Sequence, residues 1–112
     1  MKTVIELRQA FISGTLTPTK VVEECLQLIA DTDKDIGAYL AVYQDALKQA
    51  EEATKLYQDK GEATPPLLGV PIAIKNNILV QGKKATGGSK ILENYTAVYD
   101  ATIVKRLKEA GA

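Results

Sequence analysis

The strongest constraint on how this chain folds is a punctuated helical stripe. Thr17-Pro18 reads as an N-cap followed by a first-turn proline, and Val22, Cys25, Leu26 and Ile29 then recur at i, i+3, i+4 and i+7. That spacing predicts a helix over about 18–30 with one apolar face, which other elements must cover. Upstream, Thr3 and Glu6 have the form of a capping box, predicting a short helix over about 4–12 with Val4, Leu7 and Phe11 on one side. Gly14 can take the left-handed conformation that ends it. Cys25 lies on the apolar stripe and reads as a packing residue, the usual role of a free cysteine.

Asp31-Thr32-Asp33 reads as a turn, and beyond it Ile36, Ala38, Leu40 and Val42 alternate with their neighbours, predicting a strand over about 36–42. A third helix is expected over about 44–58, with Ala46, Ala50, Ala53 and Tyr57 on one face, where small alanines allow a close neighbour. Pro65-Pro66, after Gly61, cannot continue it. The mostly apolar run Leu67–Lys75 predicts a strand over about 70–75, with Pro71 at its start, and Ile78-Leu79-Val80 a short strand over 78–80. Residues 83–96 read as irregular. Asp100 reads as the N-cap of a last helix over about 100–110, striped by Ile103, Val104 and Leu107. The order of elements gives a mixed α/β class in a single segment spanning residues 1–112.

Composition narrows the function. An apolar share of 46% and a charged share of 25% fit one compact core and argue against disorder. Fourteen basic and fourteen acidic side chains cancel, so no global field draws the chain onto nucleic acid or an anionic membrane. No stretch approaches the ~20 apolar residues of a membrane span, and the start runs into charged residues without a signal-peptide pattern, so the expected location is the cytoplasm. One cysteine excludes an internal disulfide. With no histidine as well, the usual zinc sites, Ser-His-Asp triads and Cys-His pairs are excluded within the chain, and no metal or cofactor site is expected in it.

Two places invite a chemical reading. Lys75 closes an apolar run, where partial desolvation lowers an amine's pKa and makes it a usable base; alternatively its stem covers apolar residues while the ammonium reaches water. Gly82 and Gly87 have the spacing of a phosphate-binding loop, but Gly88 stands where that loop needs its lysine and no helix pattern follows at once. The glycines there read as places where the backbone turns or approaches another segment.

The segment Leu67-Leu68-Gly69-Val70-Pro71-Ile72-Ala73-Ile74-Lys75-Asn76-Asn77-Ile78 resembles the signature of the amidase signature family, Leu-x-Gly-[Ile/Val]-Pro-[Ile/Phe]-x-[Ile/Val]-Lys-Asp-Asn. Thr86-Gly87-Gly88-Ser89-Lys90-Ile91-Leu92-Glu93-Asn94-Tyr95 and Tyr99-Asp100-Ala101-Thr102 follow in the expected order and resemble the branch formed by A subunits of glutamyl-tRNA(Gln) amidotransferases. Leu7, the Ser13-Gly14 turn and the helix after Pro18 are similar too, so the resemblance covers essentially the whole chain. It implies helices and a few strands of a mixed sheet left incomplete here, with Lys75 as the lysine of a Ser-Ser-Lys triad. In such a triad the lysine acts through a bridging serine on a nucleophilic serine, and backbone amides of a Gly/Ser-rich loop form the oxyanion hole.

The resemblance further implies release of ammonia from glutamine, transfer of that ammonia to a partner subunit, and use of ATP and Mg by the partner. Partners would be the B and C subunits, with no direct contact to nucleic acid or membrane. Both family serines belong to a Gly-Ser-Ser-Gly-Gly-Ser type segment that this sequence does not contain, and Ser89 matches a different stretch, so no amidase activity is expected of the chain alone. Asn76 departs from the aspartate often found after the lysine and removes a negative charge that would favour the ammonium. Strands without partners on an edge promote association, so a self-associating or domain-swapped oligomer is expected. A stand-alone module that docks partner subunits without catalysis is the competing reading.

Overall fold

A computed structural model describes residues 2–112 and divides them into two compact units, one running through Pro71 and taking in Gly111 and Ala112, the other spanning Ile72–Ala110.

The first unit is three helices. In α1 (Val4–Ser13) the expected capping box forms: the Thr3 side chain accepts from the Glu6 N–H at 3.2 Å, and the Glu6 carboxylate accepts from the Thr3 N–H at 2.6 Å. Those bonds, the backbone one foremost, hold the Glu6 carboxyl below its ordinary pKa. Gly14 ends the helix at φ 72°. In α2 (Pro18–Ile36) the Thr17 side chain caps Lys20 N–H and Pro18 opens the first turn. The helix runs well past the expected end at 30, because the Asp31-Thr32-Asp33 stretch is helical. Thr32 satisfies its hydroxyl on Leu28 O at 2.7 Å, and Gly37, left-handed at φ 65°, supplies the stop. Asp33 serves that stop, its carboxylate accepting from Ala38 N–H at 2.7 Å.

The third helix, α3 (Asp45–Lys60), buries Ala50, Ala53 and Tyr57, the face its alanines mark. α2 and α3 pack closely enough for Thr19 and Thr54 to share a hydroxyl hydrogen bond of 2.8 Å. The core is Phe11, Val21, Ala53, Tyr57, Leu68 and Val70, of which the Phe, Val and Leu side chains each contribute about 1.5–3 kcal/mol when fully buried. The rings of Phe11 and Tyr57 stand 5.5 Å apart at 55°, and the Tyr57 hydroxyl donates to Leu68 O at 3.1 Å. Arg8 fixes α1 to the Pro65-Pro66 connection by donating to the carbonyls of Pro65 (2.8 Å), Glu62 (3.1 Å) and Thr64 (3.3 Å). Cys25, like Leu7, Ile12 and Leu16, is partly buried against the core, and burial, aided by Glu24, raises its thiol pKa.

The second unit holds the 3-10 turn Lys90–Leu92 and the helix α4 (Thr102–Glu109), which buries Val104. Its N-cap is Ala101, without a side-chain cap, and not Asp100 as expected. The Asp100 carboxylate turns to two other donors, accepting from Lys108 Nζ and from Gln81 N–H at 2.7 Å each. The Lys108 bond, then the Gln81 bond, holds its carboxyl below the ordinary value.

None of the three expected strands forms among the described residues. A strand exists only by exchanging hydrogen bonds with a neighbour, and the one ladder rung present is the antiparallel bridge between Lys84 and Thr96. Residues 37–43, after the helical Ile36, are irregular, with Tyr39, Leu40 and Val42 all open to solvent despite their alternation. Residues 70–75 have no strand partner among the described residues, and Ile78 closes a turn instead, its N–H donating to Lys75 O at 2.9 Å. The element order is therefore α-helical, and the strand component of the mixed α/β expectation is absent from these residues.

Candidate active site

Lys75 sits in the second unit on the turn that runs from Lys75 to Ile78. The residue is exposed, as are Ile72 and Ile74 before it, so the described residues do not bury it. Of the two readings open at this position, the arrangement within the chain matches the lysine whose ammonium reaches water.

The turn is tied to the glycine-rich segment by Asn76. Its Oδ1 accepts from Thr86 N–H at 2.9 Å, its Nδ2 donates to Thr86 Oγ1 at 2.8 Å, and its backbone carbonyl accepts from Gly87 N–H at 3.2 Å. Gly88 N–H donates to Thr86 Oγ1 at 3.2 Å and Ser89 N–H to Thr86 O at 2.9 Å. Every amide from Thr86 to Ser89 thus has an acceptor, on Asn76 for the first two and on Thr86 for the others. A phosphate-binding loop needs those donors free for its ligand, so the glycines here serve the turn and not an anion. Sequence reasoning missed this junction. The signal available was a side chain with both donor and acceptor directly after the lysine, and a second hydroxyl-bearing residue ahead of paired glycines.

The glycine of the signature is accounted for in the first unit. Gly69 has φ 72°, and a β-carbon built there would stand 2.6 Å from both Cβ and Cγ of Pro18 and 3.2 Å from Cβ of Ala53. A side chain is excluded by backbone conformation and by space together.

The family model for amidases matches residues 20–112. The chain belongs to the amidase family. Its relatives include the A subunit of the glutamyl-tRNA(Gln) amidotransferase of Fusobacterium nucleatum, 43% identical over 98% of the chain but only 23% of the relative, and the mitochondrial A subunit of Canis lupus familiaris, 41% identical over 99% of the chain and 21% of the relative. Among solved structures, the native peptide amidase of Stenotrophomonas maltophilia superposes with a TM-score of 0.89 at 32% identity, over 99% of this chain and 23% of that one. The chain therefore spans less than a quarter of the length of these amidases. Within this amidase segment there are two serines, Ser13 and Ser89. Ser13 Oγ donates to Ala10 O at 3.1 Å, and neither serine stands in a Ser-Ser pair or a Gly-Ser-Ser-Gly stretch.

Proposed function

We propose that this chain supplies the lysine, Lys75, of a Ser-Ser-Lys amidase centre in an A subunit that releases ammonia from glutamine for amidation of Glu-tRNA(Gln). The observation that carries this reading is similarity to A subunits along the whole chain, at 43% and 41% identity, with the lysine in its signature context. In the proposed reaction a neutral Lys75 takes a proton, relayed by a bridging serine, from the hydroxyl that attacks the amide carbonyl carbon. The proton returns to the leaving nitrogen as ammonia departs, and water hydrolyses the remaining ester. Both serines come from outside this sequence, so the chain alone turns nothing over. Burial of Lys75 would come with the rest of the amidase fold, including the sheet in which residues 70–75 and 78–80 gain their strand partners. The B and C subunits are the proposed partners, in the cytoplasm, and ATP with Mg is used by the partner and not by this chain.

The test is to graft residues 1–112 in place of the matching segment of the Fusobacterium nucleatum relative and to measure ammonia release from glutamine. The chain alone should be silent and the graft active. Lys75→Ala in the graft should lower kcat by roughly a thousandfold or more, the scale for removing one member of a catalytic unit. Activity of the graft unchanged by Lys75→Ala would end the proposal.

A second reading, a docking or self-associating module without catalysis, is favoured by one observation. Leu40 (74% exposed), Val98 (71%) and Ile91 (94%) present apolar side chains to solvent. Retention of B and C subunits by the chain alone in a pull-down, or a concentration-dependent mass in size-exclusion chromatography with light scattering, would support it. A clean monomer that retains neither would exclude it.

A further inference from the structure

No hydrogen bond or ion pair holds the Lys75 side chain among the described residues, so what this segment can fix is the place from which the amine extends. That place is a turn closed by Ile78 N–H on Lys75 O at 2.9 Å, and the next residue, Asn76, grips Thr86 through both atoms of its side-chain amide. The orientation of that amide follows from chemistry. A backbone N–H only donates, so the oxygen of Asn76 must face Thr86 N–H and the nitrogen must face Thr86 Oγ1. Thr86 Oγ1 also accepts from Gly88 N–H at 3.2 Å, which fills both of its lone pairs and aligns the hydroxyl for the bond from Asn76. With the Gly87 N–H donating to Asn76 O at 3.2 Å, three hydrogen bonds join residue 76 to residues 86 and 87.

We infer that Asn76 is a positioning residue for Lys75, holding the lysine's turn against the glycine-rich segment through Thr86. The inference rests on the reading of Lys75 as the proton acceptor. Asparagine is suited to the task in a way aspartate is not. A carboxylate at this position keeps both side-chain bonds only if the Thr86 hydroxyl reverses to become the donor, and it adds a negative charge on the residue next to the lysine. Asn76 supplies the same geometry without that charge.

Two measurements test the inference. In the chain itself, amide-proton exchange at Thr86, Gly87 and Ile78 is followed by NMR in Asn76→Ala, Thr86→Val and the double variant. Exchange at Ile78 should quicken by roughly tenfold in each single variant, and no further in the double, because the two side chains act as one contact. Ile78 exchange that stays at the parent rate, or effects that add in the double, would overturn the inference. Thr86→Ser keeps the hydroxyl and should behave as the parent, which separates loss of the bond from general loosening.

In the graft onto the Fusobacterium nucleatum relative, Asn76→Ala and Thr86→Val should each lower kcat by roughly tenfold with KM for glutamine unchanged, the signature of a misplaced acceptor and not of weakened substrate binding. Asn76→Asp, which can keep both side-chain bonds once the Thr86 hydroxyl turns to donate, should restore most of the kcat lost in Asn76→Ala. A loss confined to KM, or an Asn76→Asp variant no better than Asn76→Ala, would sink it. Failure of the underlying reading is recognisable separately. If Lys75→Ala is fully active the site assignment falls, whereas a dead Lys75→Ala beside an unaffected Asn76→Ala removes only the role of Asn76.

Discussion

Replacing Gly69 with alanine puts the physics of the signature segment to a direct test. The residue holds φ 72°, where an L side chain costs about 1–2 kcal/mol. Its new β-carbon would stand 2.6 Å from Cβ and Cγ of Pro18, well inside any tolerable separation. The proline ring cannot swing aside, because it is fully buried and locked into the first turn of α2. Overpacking of this kind adds about 1–3 kcal/mol, for a total of about 2–5 kcal/mol. Gly14→Ala is the control, since Gly14 has the same φ of 72° but nothing within 4 Å of its β-carbon, and should lose only the backbone part. With a urea slope of about 1–1.5 kcal/mol/M for a chain of this size, Gly69→Ala should lower the midpoint by roughly 1.3–5 M and Gly14→Ala by roughly 0.7–2 M, the first shift the larger. The transition can be followed by near-ultraviolet circular dichroism, whose signal comes from the Phe11 and Tyr57 rings in the core and the other tyrosines, the chain having no tryptophan. Equal midpoints for the two variants would show that the close approach to Pro18 carries no energetic weight.

Tyr57→Phe should cost about 1–3 kcal/mol in the same urea experiment, because it leaves the buried carbonyl of Leu68 without the hydroxyl that serves it. The Asp100 carboxyl should titrate below its ordinary value of 3.8 by NMR, so its bonds to Lys108 and Gln81 add stability above that pH and lose it as the carboxylate takes up a proton below. Lys108→Met should move that titration upward and remove the acid-dependent part. Alkylation of Cys25 by iodoacetamide at neutral pH should be slower than for a free thiol and should recover the ordinary rate in urea, since burial raises the folded thiol's pKa and shields the sulfur.

Legibility followed the range of the interactions concerned. Thr3, Thr17 and Gly14 act on residues three or four positions away, and the caps they form are those their types and spacing predict. The apolar faces of α2 and α3 were readable for the same reason, down to Ala50, Ala53 and Tyr57. The end of α2 was not, because Thr32 and Asp33 are turn formers by composition yet bond locally to Leu28 O and Ala38 N–H inside a helix that Gly37 stops. Alternation at Ile36–Val42 and the apolar run to Lys75 describe the demands of a sheet, and a sheet depends on a neighbour that periodicity cannot supply. Asp100 shows the same limit from the side of polar chemistry. Its short acidic side chain fits an N-cap, but a donor nineteen positions away, Gln81 N–H, and the ammonium of Lys108 outcompete the helix start. Lys75 is singled out by its signature context, whereas the Asn76 to Thr86 junction spans ten residues and is visible only in the folded chain.

The uncovered stretch between α2 and α3 sets where the first unit is open to attack. Residues 37–44 are irregular, and among them Tyr39 and Leu40 offer aromatic and aliphatic cleavage points at 42% and 74% exposure. Brief digestion with chymotrypsin should nick the first unit there before any of its helices is cut. The two pieces should still travel together on a sizing column, because the packing of α2 on α3 and the hydroxyl bond between Thr19 and Thr54 lie outside the severed loop.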